Sequence, residues 1–138
     1  MTTEEVKHYL RQARKLDVRL QREKRNLEKL RSAVEYRSPV FDSVGGGGTN
    51  DKIGQAVANI IERVKRVDEL AVLYSEKYTE IEQTIRSVDD DALEEVLELR
   101  YLQYMKWEEI AQRMNYTERR VLQLHGKALQ KISLYFSI

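Results

Sequence analysis

A chain of 138 residues accommodates one domain, or one small domain joined to an extended helical element. With 34% charged and 41% hydrophobic residues and a single proline, long water-facing helices are favoured and no sheet is expected. The absence of cysteine excludes a disulfide framework and any cysteine-based zinc site. No apolar run approaches the roughly 18 residues of a membrane span, and the polar stretch Thr2 to Lys7 lacks a leader's apolar core, so a cytoplasmic protein is expected.

The net charge of +1 conceals an uneven distribution: residues 1–38 carry +5, residues 39–100 carry −7 and residues 101–138 carry +3. A basic C-terminal unit suits a nucleic-acid surface, and the acidic middle is fitted to pair with the basic N-terminal helix.

From about Thr3 to Tyr36, Val6, Ala13, Leu20, Leu27 and Val34 recur at heptad spacing beside Tyr9, Leu16 and Leu30, which predicts one long helix. Glu23 and Arg37 complete the second line and make the seam imperfect. Pro39 and the run Gly45 to Gly48 predict a flexible loop over about 38–51. The phosphate-loop spacing fails there, because Lys52 is followed by Ile53 and no strand precedes it. Beyond it, Ile53, Ile60, Val67, Tyr74, Ile81 and Val88 alternate with Val57, Val64, Ala71, Tyr78 and Ile85, a sustained 3.5-residue period that demands a partner helix. Each arm spans about 50 Å at 1.5 Å per residue, so the simplest assembly is an antiparallel coiled-coil hairpin over residues 1–88. Ala56, Ile61 and Leu70 widen the second stripe beyond a two-stranded seam. A homo-oligomer, preferably a dimer, covers that excess; the competing arrangement lays the stripe on the chain's own C-terminal helices.

Asp89, Asp90 and Asp91 mark the start of a second domain, residues 89–138, supplying a cap and favourable charge to the next helix. In WEEIAQRMNYTERRVLQLHGKALQKI, from Trp107 to Ile132, two apolar-periodic segments flank a short polar break, the order of a helix-turn-helix. Ile110, Ala111 and Met114 form the first inward stripe; Val121, Leu124, Ala128, Leu129 and Ile132 form the second. Thr117 is placed to cap the second helix. The free face of that helix carries Glu118, Arg119, Leu122, Gln123, Gly126, Lys127 and Gln130, with Arg120 at its edge. Arg119 can meet a guanine edge bidentately, Gln123 an adenine and Leu122 a thymine methyl, while Arg120, Lys127 and Thr117 can hold phosphates. The expected partner is double-stranded DNA.

These residues resemble region 4 of the bacterial sigma-70 family. The resemblance rests on Glu108, Glu109, Ala111 and Thr117, the run Lys127-Ala128-Leu129-Gln130-Lys131-Ile132, and the leucine-rich LEEVLELRYLQYMK from Leu93 to Lys106. It covers about 45 residues. It implies −35 promoter reading from the start of the second helix, with Thr117 on phosphate and Glu118, Arg119, Arg120 and Gln123 on bases or backbone, and it admits RNA polymerase as a further partner. Two positions depart from the pattern: Leu122 stands where many members carry a basic residue, and Gly126 interrupts a helix interior at about 1 kcal/mol relative to Ala. Nothing here is like the family's promoter-melting region, so a complete sigma factor is not expected. The overall plan is similar to small phage or prophage regulators of Gram-positive bacteria.

His8 and His125 lack a second imidazole at helical spacing, so no metal site is expected and both are read as surface or edge residues. No carboxylate pair marks a catalytic pocket, and neither enzyme activity nor a cofactor is expected. Trp107 and Tyr116 read as core, and the apolar tail Leu134, Tyr135, Phe136 and Ile138 as packed on the hairpin. The expected fold is all-α and the expected function is sequence-specific regulation of transcription. Two other classes fit the pattern: a ring-forming DNA-packaging adaptor like a phage small terminase subunit, and a polymerase- or anti-sigma-binding module without DNA affinity.

Overall fold

The computed structural model describes the backbone of residues 1–44 and 47–137, with side chains of 1–36 and 51–137. Among these residues every regular element is helical. Two antiparallel helical arms pack as a hairpin and are followed by short helices. The elements are α1 (Thr3–Leu10), α2 (Gln12–Val44), α3 (Gly47–Arg86), α4 (Asp91–Leu97) with a π-helical turn over Glu98–Leu102, α5 (Trp107–Met114) and α6 (Glu118–Tyr135).

Local chemistry explains most of the boundaries. Thr2 caps α1 by accepting the Glu5 N–H, while the Glu5 carboxylate accepts the Thr2 N–H, so two amides with no helical partner are satisfied reciprocally. Arg11 then interrupts the helix for one residue without changing its direction, since the Arg11 N–H still reaches Lys7 and the Lys15 N–H reaches Arg11. Pro39 does not end α2, which runs on to Val44. The helices therefore enter the segment expected as a loop from both sides, and Gly45 and Gly46 lie outside the described residues.

The chain divides into two compact units. One holds residues 17–73, the distal parts of α2 and α3. Leu20 and Leu27 are buried there, whereas Leu30, Val34, Ile60, Val64, Val67 and Ala71 are only half-buried. Two helices alone shield one narrow seam, so the remainder of each apolar stripe stays partly wet.

The other unit joins residues 1–16 to residues 74–138 and contains the main core. Val6, Leu10 and Ala13 from the N-terminus and Ile81, Ile85 and Val88 from the end of α3 share one cluster with Leu93, Val96, Leu97, Ile110, Val121, Leu124, Ala128, Leu129 and Ile132. α1 packs directly on α6. Tyr9 ties the two ends of the arms together, donating to Glu80 at 2.7 Å and sharing a hydrogen bond with Thr84 at 3.2 Å. The unit is thus drawn differently from a break at residue 88, because the apolar stripes of both arms run on into this core. This realises, for the proximal ends of the hairpin, the arrangement in which the stripe covers the chain's own C-terminal helices. The tail is mixed: Phe136 meets Tyr9 edge-on at 5.6 Å, but Leu134 and Tyr135 are mainly exposed.

No described helix is long and apolar enough to cross a membrane.

Candidate nucleic-acid interface

The site is assembled from the turn between α5 and α6 outward. Ahead of it, Asp90 caps α4 by accepting the Leu93 N–H at 3.1 Å, as the acidic run implied. The following π turn widens the helix, so that Leu99, Tyr101 and Leu102 are all buried within four positions. The chain then reverses through Tyr104, a non-glycine residue at φ 60°, and the Met105 N–H bonds back to Leu99 at 2.9 Å. α5 begins with the Glu109 carboxylate accepting the Lys106 N–H.

At the end of α5, Asn115 adopts the left-handed conformation at φ 58°, one that asparagine tolerates better than most residues. The Tyr116 N–H closes the turn on the Ala111 carbonyl at 3.0 Å. Thr117 follows in extended conformation and accepts the Arg120 N–H at 3.1 Å, the expected cap on α6. Such a cap contributes about 1 kcal/mol. Ala111 is buried at the crossing, where its small side chain lets α5 and α6 approach.

α6 is sharply two-sided. Val121, Leu124, His125, Ala128, Leu129 and Ile132 are buried, while Thr117, Glu118, Arg119, Arg120, Leu122, Gln123, Lys127 and Gln130 are exposed. The seven residues expected to face DNA therefore lie along one open side, and Leu122 is 48% exposed although apolar. A shallow groove beside them is lined by Glu108, Ala111, Gln112, Asn115, Tyr116, Thr117 and Glu118. Tyr116 stands exposed at this rim and not in the core, because the tight turn carries it outward.

Gly126 is half-buried in the middle of α6, and a Cβ built on it meets nothing within 4 Å. Neither backbone strain nor crowding inside the fold requires glycine here. Gly126→Ala is expected to stabilise the protein by about 0.5–1 kcal/mol, read as a raised denaturation midpoint. An unchanged or lowered midpoint would show that the helix needs glycine for itself.

His125 is the principal correction to the sequence reading. It is 6% exposed and lies on the buried side of α6. Its Nε2 is 2.7 Å from the Tyr101 hydroxyl, its ring stacks on Tyr101 at 5.7 Å, and Trp107 meets it edge-on at 4.6 Å. Arg100 completes the cluster, with its guanidinium 4.3 Å from the centre of the Trp107 ring and donating to the Met105 carbonyl at 3.0 Å. Burial drives the His125 pKa down to about 4, helped by the positive charges of Lys7, Arg100 and Arg11. Burial also pushes Tyr101 up to about 12, so the phenol keeps its proton. The sequence held the signal: Val121, Leu124, His125 and Ala128 follow the i, i+3, i+4, i+7 stripe.

Residues 83–133 match the family model for Sigma-70, region 4. No curated protein and no solved structure matches the chain. The matched segment spans the last turn of α3 through most of α6, and thus includes the π turn, the capped turn and the exposed side of α6. The C-terminal part of this chain carries a sigma-70 region 4-like helix-turn-helix.

Proposed function

We propose that this protein is a sequence-specific DNA-binding regulator of transcription, a non-enzymatic cytoplasmic protein of phage or prophage type. α6 enters the major groove, and the hairpin sets the oligomeric state. The observation that carries this reading is the row of base- and phosphate-competent side chains on the open side of a rigid, capped α6 within the region 4-like segment. Arg119, Gln123 and Leu122 read base edges; Thr117, Arg120 and Lys127 hold backbone phosphates, and Glu118 faces the groove at the helix start. RNA polymerase is a second partner by resemblance to the sigma family.

A dimer through the hairpin is supported by apolar residues left in water on α3. Val57, Ile61 and Val72 are 41%, 53% and 56% exposed and fall on one flank of α3 about 60° wide. A second hairpin is the chemically matched cover for such a flank.

Selection from a random duplex library at near-physiological salt tests the reading. The intact protein is expected to enrich a motif that an Arg119→Ala, Gln123→Ala double variant loses. Gln123→Ala alone is expected to relax one base position, whereas Lys127→Ala weakens binding to all duplexes and lowers the salt slope by about 1. No enrichment by the intact protein at any salt would overturn the DNA-reading assignment. Light scattering on the same sample reports the assembly: a dimer agrees with operator binding, and a larger ring would move the function to DNA packaging.

A further inference from the structure

Basic side chains gather at the loop that opens the helix-turn-helix, and two of them lie outside the segment matching the family model. Arg100 and Lys106 bracket the loop, Arg100 binding the Met105 carbonyl and Lys106 preceding α5 with its side chain exposed. Arg14, in the first turn of α2, reaches the same loop from the N-terminal side. It donates to the Tyr104 carbonyl at 3.5 Å, with its guanidinium 5.3 Å from the centre of the Tyr104 ring. Arg11 precedes it by three positions, on the same helical side.

These charges are poorly compensated within the fold. The ion pairs among the described residues are Lys7–Glu4, Lys77–Glu80 and Arg86–Glu82, and none involves Arg11, Arg14, Arg100 or Lys106. The Glu109 carboxylate is engaged by the Lys106 backbone N–H. Arg100 has its pKa lowered by burial first and then by repulsion from Arg11 and Arg14. Folding therefore concentrates positive charge here against its own electrostatics, and an anion relieves that repulsion. The place matters as well as the sign. Arg100 covers Trp107, the first residue of α5, so the basic group sits at the start of the helix-turn-helix.

We propose that Arg11 and Arg14 hold DNA backbone phosphates flanking the groove read by α6, extending the DNA-binding surface through the loop 103–106 onto the N-terminal helices. The inference rests on the DNA-reading assignment above. Exposed guanidinium groups match phosphate with paired N–H donors, and such contacts fix register without reading sequence. An acidic protein surface offers scattered carboxylates; a duplex held by the helix-turn-helix offers a continuous line of phosphates, which fits basic groups gathered at the loop before α5.

The test uses the full-length protein, a duplex carrying the selected motif and a random-sequence duplex. Arg11→Ala, Arg14→Ala together are expected to weaken both duplexes alike, roughly tenfold at near-physiological salt. The slope of log affinity against log salt falls by about 2, while the enriched motif stays the same. Arg11→Lys, Arg14→Lys keeps most of the affinity and slope, because an ammonium also neutralises a phosphate. An unchanged slope in the alanine pair overturns the inference, also when that pair instead loses affinity for RNA polymerase. Equal losses in the lysine and alanine pairs overturn it too, by making Arg14 a packing residue for Tyr104. If the unaltered protein ignores both duplexes, the DNA-reading assignment falls and takes this contact with it; if it binds and the alanine pair binds equally, only this contact falls.

Discussion

An isolated fragment of residues 89–138 is expected not to fold cooperatively in water, even though it contains the entire helix-turn-helix. In the intact chain Val6, Leu10, Ala13, Ile81 and Ile85 are fully buried in the cluster that also holds Ile110, Val121, Ala128 and Ile132. Removing residues 1–88 strips that cover and exposes the inner faces of α4 and α6 to water. Burying one large aliphatic side chain is worth about 1.5–3 kcal/mol, and a domain's net stability is about 5–15 kcal/mol, so losing several such contacts exceeds the margin. In the intact protein the same coupling is expected to make Leu10→Ala cost about 2–5 kcal/mol, with the thermal transition of the helix-turn-helix moving together with that of the N-terminus. Circular dichroism melts of the fragment and urea titrations of Leu10→Ala check both statements. A fragment melting as sharply as the intact protein, or a Leu10→Ala midpoint at the unaltered value, would show that the C-terminal unit stands alone.

That coupling explains what was legible in the sequence and what was not. The two arms, the capped turn at Thr117 and the division of α6 into buried and exposed sides all follow from local periodicity, and the structure places Val121, Leu124, Ala128 and Ile132 inward accordingly. Heptad spacing, however, says only that Val6 and Ile81 need a partner, not which one. The stripe is uninterrupted from the distal hairpin into the C-terminal core, so no change in composition marks where one cover replaces another. A boundary drawn at the acidic run therefore separated segments that share a core. His125 was missed for a different reason: its polarity outweighed its position on the inward stripe. The structure resolves the conflict by supplying Tyr101, the fourth residue of the π turn, as a hydrogen-bond partner that no local pattern announces. The exposed residues of α6 were legible from its periodicity, but Arg14 lies ninety residues from Tyr104 along the chain and meets it only through the packed core.

The buried imidazole has a consequence for acid stability. The His125 pKa falls from 6.5 to about 4 on folding, chiefly by burial, so between these values the unfolded chain binds a proton that the folded chain does not. Stability from this group is fully present above pH 6.5, declines as pH falls through that window and is lost below about pH 4. One pKa unit corresponds to about 1.4 kcal/mol, which makes the full change roughly 3 kcal/mol. Besides burial, the positive charges of Lys7, Arg100 and Arg11 oppose a new charge on the ring. Glu80 also loses a favourable interaction in acid, but its pKa lies below the carboxylate value of 4.5, chiefly because Tyr9 donates to it, so its loss begins beneath most of the histidine window. Urea titrations from pH 7 to pH 4 are therefore expected to show the midpoint falling steadily, mostly above pH 4.5. Replacing both partners, by Tyr101→Phe with His125→Phe, keeps two aromatic rings in place and leaves no unpaired polar group, so the fold should survive while the slope in this window disappears. A double variant that keeps the slope would assign the acid sensitivity to carboxylates and remove His125 as its source.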